Sequence, residues 1–139
     1  MLIVLTLMVG VLTLVPAYFS KGISTAELKS STRLISSGLR AVRSEAVSRN
    51  AERVFLLDVE QRQFFIGEKG PATELPEKIH LELNTAKSEQ LSDSLGGIRF
   101  FPDGSSTGGD IIASNQSDKL KIAVNWISGK VAIFDLELE

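Results

Sequence analysis

Little in this 139-residue chain combines the residue types and spacing that catalysis or ligand binding needs. Its one histidine, His80, lies in the alternating run Lys78-Ile79-His80-Leu81-Glu82-Leu83, on the polar face of an expected strand. With no cysteine and no second histidine it makes a poor metal site, and it reads as a surface residue. Asp103-Gly104-Ser105-Ser106-Thr107 offers oxygens at alternate positions, as a calcium loop does, but the distal bidentate glutamate is missing. Pro102-Asp103-Gly104 is better explained as turn chemistry, with proline fixing φ and glycine accepting positive φ. No Ser/His/Asp arrangement can be read, no glycine-rich phosphate loop follows a strand, and no carboxylate pair occupies a patterned pocket segment. Enzyme activity, a cofactor and a metal are therefore not expected. Arg33, Arg40, Arg43, Arg49 and Arg53 form a basic strip, but no aromatic residues interleave with them as a stacking platform, which argues against nucleic acid as partner.

The elements that would position any site begin with an apolar run. Met1 to Phe19 carry no charge, and the first charged residue is Lys21. As a helix this run spans roughly 28 Å, close to the roughly 30 Å of a bilayer's hydrocarbon core. Leu2, Ile3, Val4, Leu5, Leu7, Val9, Gly10, Val11, Leu12, Leu14, Val15 and Pro16 are the candidate membrane or filament-core residues. A cleavable signal peptide would need a basic start and a small-x-small cleavage site, and neither is present, so a retained membrane helix is expected. Tyr18-Phe19 followed by Lys21 suits the headgroup interface. Gly10 and Pro16 are helix breakers that would kink or melt the segment.

Ser24-x-x-Glu27 is a capping-box pattern that would restart a helix after Gly22. Behind it Leu28, Ile35, Leu39, Val42 and Ala46 draw one apolar stripe, predicted to pack on a head, and the helix is expected to end near Asn50. The chain thus divides into 1–22, an apolar helix, 23–50, an amphipathic helix, and 51–139, a head. Residues 20–50 hold six Lys/Arg and two Glu, whereas 51–139 hold nine Lys/Arg against fifteen Asp/Glu, so a basic stalk carries an acidic head.

In the head the period changes from helical to alternating. Val54–Leu57 and Gln63–Ile66 read as a hairpin, followed by strands at Lys78–Leu83, Ile98–Phe101, Asp110–Ala113, Lys119–Trp126 and Lys130–Leu138. Asn84–Gly97 reads as a loop, and Trp126 as a core residue with its ring N–H bonded or at the rim. The expected fold class is α+β: one long N-terminal helix packed on a mostly antiparallel β head of six or seven strands, in two sheets.

Two separated regions resemble one family. The opening Met1-Leu2-Ile3-Val4-Leu5, followed by an apolar helix with Gly10 and Pro16, resembles the N-terminal helix of type IV pilins and type II secretion pseudopilins. Gly97-Ile98-Arg99-Phe100-Phe101-Pro102-Asp103-Gly104-Ser105-Ser106-Thr107-Gly108-Gly109-Asp110-Ile111 is similar to the C-terminal signature of the GspH/FimT group of minor pseudopilins. Its signature positions here are Phe100, Phe101, Pro102, Asp103, Gly104, Ser105, Gly108, Gly109 and Asp110. Members of this family carry a basic leader, a cleavage glycine and a short start ending in glutamate before a segment like Met1–Leu5, so the resemblance implies a longer parent chain.

The resemblance implies a pilin-like fold and a structural role without a cofactor. A bacterial inner-membrane protein with a periplasmic head would assemble, at or near the tip, into the short filament that helps export folded proteins. The implied partners are other major and minor pseudopilins, inner-membrane lipid before assembly, and the secretin or secreted substrates. A FimT-like minor type IV pilin, working in pilus assembly or DNA uptake, is the alternative. The acidic end Asp135-Leu136-Glu137-Leu138-Glu139 repels phosphate and favours secretion.

Overall fold

The computed structural model describes the backbone of residues 2–136 and the side chains of residues 25–136. Helix α1 runs from Leu2 to Ser48, about 70 Å at the helical rise. Its backbone stays helical through Gly10, Pro16 and Gly22, so the restart expected at Ser24 does not occur. In a continuous helix the N–H groups that a cap would satisfy are already bonded one turn back. The candidate membrane residues from Leu2 to Pro16 lie outside the described side chains. Among the described residues no helix is long and apolar enough to cross a membrane.

The end of α1 is set by Asn50. This residue takes a left-handed φ of 49°, Ala51 N–H donates to the Ala46 carbonyl at 3.2 Å and Asn50 N–H to that of Val47 at 3.4 Å. That pair of bonds is a Schellman closure, with asparagine in the place usually taken by glycine.

Among the described residues eight strands follow: β1 Arg53–Asp58, β2 Gln63–Ile66, β3 Ala72–Glu74, β4 His80–Thr85, β5 Leu95–Phe100, β6 Gly109–Ser114, β7 Lys119–Val124 and β8 Val131–Leu136. All pairings are antiparallel, in one sheet of order β3-β2-β1-β5 and a second of order β4-β6-β7-β8. The stretch Asn84–Gly97, expected as a loop, is more ordered than its polarity predicts. Asn84 and Thr85 complete β4, Lys87–Glu89 form a 3₁₀ turn, and Leu95 to Gly97 open β5. Strand β3 was not expected, because Ala-Thr-Glu has no apolar alternation and pairs only through its backbone to β2.

The chain crosses between the sheets three times, after β3, β4 and β5. The sheets meet where the Thr85 hydroxyl on β4 donates to the Gly97 carbonyl on β5. On the opposite side they diverge, and α1 fills the opening, touching β1 and β2 of one sheet and β7 and β8 of the other. One hydrophobic cluster results. Leu28, Ile35, Leu39, Val42 and Ala46 of α1 are all fully buried in it, against Phe55, Leu57, Phe64, Ile98 and Phe100 from the first sheet and Leu81, Ile111, Ala113, Ile122 and Val124 from the second. Gly38 lies on the same face. A Cβ there would come within 2.9 Å of the Phe64 ring and 3.0 Å of Phe55, so its absence lets α1 approach this stacked pair, whose centroids are 5.1 Å apart.

Trp126 is not in this core. By alternation it would follow Leu120, Ile122 and Val124 inward, but β7 ends at Val124 and Asn125 turns the chain. The indole is left 66 % exposed.

Candidate assembly site

The residues from Phe100 to Asp110 link β5 in one sheet to β6 in the other. Phe100 is fully buried and anchors the segment in the core, while Phe101 and Pro102 are half-buried. Asp103 stands exposed, its Oδ1 accepting from the Ser105 N–H (3.0 Å) and the Ser105 hydroxyl (2.6 Å). Those bonds from Ser105, hydroxyl first, hold the Asp103 carboxyl below the usual carboxylate range. Gly104 closes the turn at φ +89° through its N–H to the Phe101 carbonyl. Beyond it the chain folds back on β5. Thr107 N–H donates to the Arg99 carbonyl (2.9 Å), and Arg99 N–H to the Thr107 hydroxyl oxygen (3.0 Å). Gly108 is buried, and Asp110, opening β6 beside Gly109, lies 3.5 Å from Lys121 Nζ.

Ser105-Ser106-Thr107 between Gly104 and Gly108 spells Gly-x-Ser-x-Gly, the letters of a nucleophile elbow. The structure gives it a different task. Ser106 is buried between two strands, not on a strand-to-helix turn. Its hydroxyl donates to the Asn125 carbonyl (3.2 Å) and accepts from Gly108 N–H (2.9 Å), while its own N–H donates to the Trp126 carbonyl (2.9 Å). These bonds tie the crossover to the β7–β8 turn. His80 is on the edge strand β4, 71 % exposed and 3.6 Å from Glu82.

Arg43, near the C-terminal end of α1, joins the crossover and the turn to the helix. Its Nε donates to the Gly104 carbonyl (3.1 Å) and its Nη2 to the Ser128 carbonyl (3.2 Å). The fit leaves no room beside it. A Cβ on Gly104 would lie 2.9 Å from Nη2, and one on Gly129, at φ +68°, would run into the Gly104 carbonyl oxygen. Three segments that are distant in sequence therefore close on one guanidinium, whose planar fork suits two separate carbonyls. Nothing in the spacing of Arg43 reveals this, since its partners lie 61 and 85 residues further on.

The expected basic strip is thereby divided. Arg40 Nη2 donates to the Val131 carbonyl (3.2 Å), Arg43 serves the two turns, Arg53 sits half-buried in β1, and Arg33 and Arg49 remain exposed. A surface cleft of about 380 Å³ does gather Arg53, Arg99 and Lys69, but Glu45, Glu52 and Glu68 line it too, so its charge balances and it offers no anion site. Among the described residues no group of three or more His, Cys, Asp or Glu side chains is arranged to hold a metal ion.

Residues 31–129, from the packed half of α1 through the β7–β8 turn, match the protein family described as type II transport protein GspH. The chain belongs to the GspH family. A relative of this GspH-family chain, the type II secretion system protein H of Xanthomonas campestris pv. campestris, is 31 % identical over 131 residues, covering 94 % of this chain and 77 % of the relative. Its fold is similar to that of the minor pseudopilin EpsH from the type 2 secretion system of Vibrio cholerae, with a TM-score of 0.62 at 14 % identity over 78 % of this chain and 97 % of the other. It is also similar to the type IV minor pilin FimU of Pseudomonas aeruginosa, with a TM-score of 0.59 at 14 % identity over 80 % and 90 %. One N-terminal helix on two antiparallel sheets is thus the pilin-like fold.

Proposed function

We propose that this chain is a minor pseudopilin of the type II secretion system, a structural subunit at or near the tip of the periplasmic pseudopilus. The observation that carries this reading is the family match across the α1 stripe, the crossover and the β7–β8 turn, which together form the rigid head described above. The uncharged run Met1–Phe19 would hold the chain in the inner membrane before assembly and pack among neighbouring helices afterwards, where van der Waals contact replaces lipid. The head would act by contact with other pseudopilins.

The likeness to FimU keeps a type IV minor pilin as the second reading, since both kinds share the fold. Two features favour secretion: the sequence relative is a secretion protein, and two of the five arginines in the strip that would meet DNA phosphates, Arg40 and Arg43, donate to carbonyls of the head itself. The test is co-purification of this chain, in detergent, with the other pilin-type subunits of the same organism. A stoichiometric complex with the secretion subunits is expected. Binding to duplex DNA that weakens steeply with salt, in the absence of such a complex, would overturn the secretion reading.

A further inference from the structure

The β7–β8 turn, Asn125–Lys130, presents the two most exposed large apolar side chains among the described residues, Trp126 and Ile127, each 66 % exposed. The turn that carries them is fixed from several sides. Asn125 Oδ1 accepts from the N–H groups of Ile127 (2.8 Å) and Ser128 (3.2 Å), and Gly129 N–H donates to the Asn125 carbonyl (2.8 Å). Ser106 N–H holds the Trp126 carbonyl, and Arg43 holds that of Ser128. Neither side chain can be withdrawn into the core without breaking these bonds. A large aromatic on a turn whose backbone is already fixed has only its two side-chain torsions to lose on binding, which is the property of an interface anchor.

The position and the charge of this knuckle select its partner. Thr25 bonds Asp118 at the β6–β7 turn and Arg43 bonds the β7–β8 turn, so the knuckle marks the end of the head away from the start of α1. From Phe19 to Arg43 the helix rises about 36 Å, which carries the knuckle clear of a bilayer entered by Met1–Phe19. Beside the knuckle stand Lys130, Arg40 and Arg43, while the nearest signature acid, Asp103, is turned onto Ser105. This is a basic rim on a head segment that has fifteen acidic residues against nine basic ones.

We propose that Trp126 and Ile127 form a rigid anchor that docks into an apolar, carboxylate-rimmed pocket on a companion pilin-type subunit standing beyond the C-terminal end of α1. The proposal rests on the pseudopilin reading and adds to it the surface and the chemistry of the contact. To test it, the full chain in detergent micelles is titrated with each pilin-type subunit of the same secretion system in turn. The comparison uses the unaltered chain, the double variant Trp126→Ala/Ile127→Ser, and a chain with a photo-crosslinking phenylalanine at position 127. Binding to one companion at least tenfold weaker in the double variant, with an unchanged Tm and with crosslinks from position 127 to that companion, is expected. Lys130→Glu should weaken the same binding several-fold at low salt. Equal binding by the double variant overturns the anchor and leaves the pseudopilin reading standing. Absence of binding by the unaltered chain to every companion overturns both. Loss of self-association in place of companion binding assigns the knuckle to a second copy and overturns the stated partner.

Discussion

Arg43 carries more of the head's order than its charge alone would indicate, because its two acceptors lie in different turns. A lysine at the same place gathers its donors on one flexibly held nitrogen and loses the planar fork that presents Nε to the Gly104 carbonyl and Nη2 to that of Ser128. Arg43→Lys should lower stability by about 1–2 kcal/mol, read by thermal or urea unfolding, with the amides of both turns exchanging faster. If Tm and exchange stay as they were, the clamp contributes nothing. Asp103 supplies the pH-dependent part of the same region. Its carboxyl is held below the ordinary value of about 3.9, so its contribution to stability is complete above that pH and is lost as pH falls through the lower, folded value. In an NMR titration the Asp103 carboxyl should titrate below the ordinary carboxylate range in the intact chain and move up in Ser105→Ala. An unshifted midpoint in both would remove the two Ser105 bonds as the cause.

At the scale of elements, α1 meets the β1–β2 hairpin through an absence of atoms. Any side chain on Gly38 must displace the Phe55 and Phe64 rings, and overpacking of this kind typically costs about 1–3 kcal/mol. Gly38→Val should therefore destabilise the head by that order, while Ser37→Val, one position round the helix on its exposed side, should change stability by less than about 0.5 kcal/mol. The helix stripe was legible in the sequence because the 3.6-residue period needs no partner to be seen, and Asn50 could be read as its end because left-handed geometry favours asparagine. The central strands were legible for the same local reason. What escaped were features decided by distant partners. Ala72–Glu74 is a strand only because β2 offers it an edge, and Leu95–Gly97 only because β1 pairs with it. Trp126 escaped because Asn125 stops the alternation that would have carried it inward. The signature loop was recognisable by its letters, yet its task of joining two sheets to Arg43 depends on contacts that no spacing encodes.

At the scale of the molecule, α1 and both sheets share one hydrophobic core among the described residues. A shared core of this size favours one cooperative transition. The slowest-exchanging amides of β1 in the first sheet and β7 in the second should then report the same opening free energy, and both should fall equally in Leu39→Ala, which deletes a fully buried side chain between them. Different opening energies for the two sheets would show that they are independent units. The placement of the helix ties also has a mechanical meaning. The Thr25–Asp118 bond and the Arg43 clamp are separated by about 27 Å of helix, and the buried stripe from Leu28 to Val42 lies between them. A pull along α1 therefore loads every contact of that stripe in shear at once, whereas a pull at right angles would peel them one by one. Force along the helix axis is thus the direction in which this packing resists best, and force across it the direction in which it yields first.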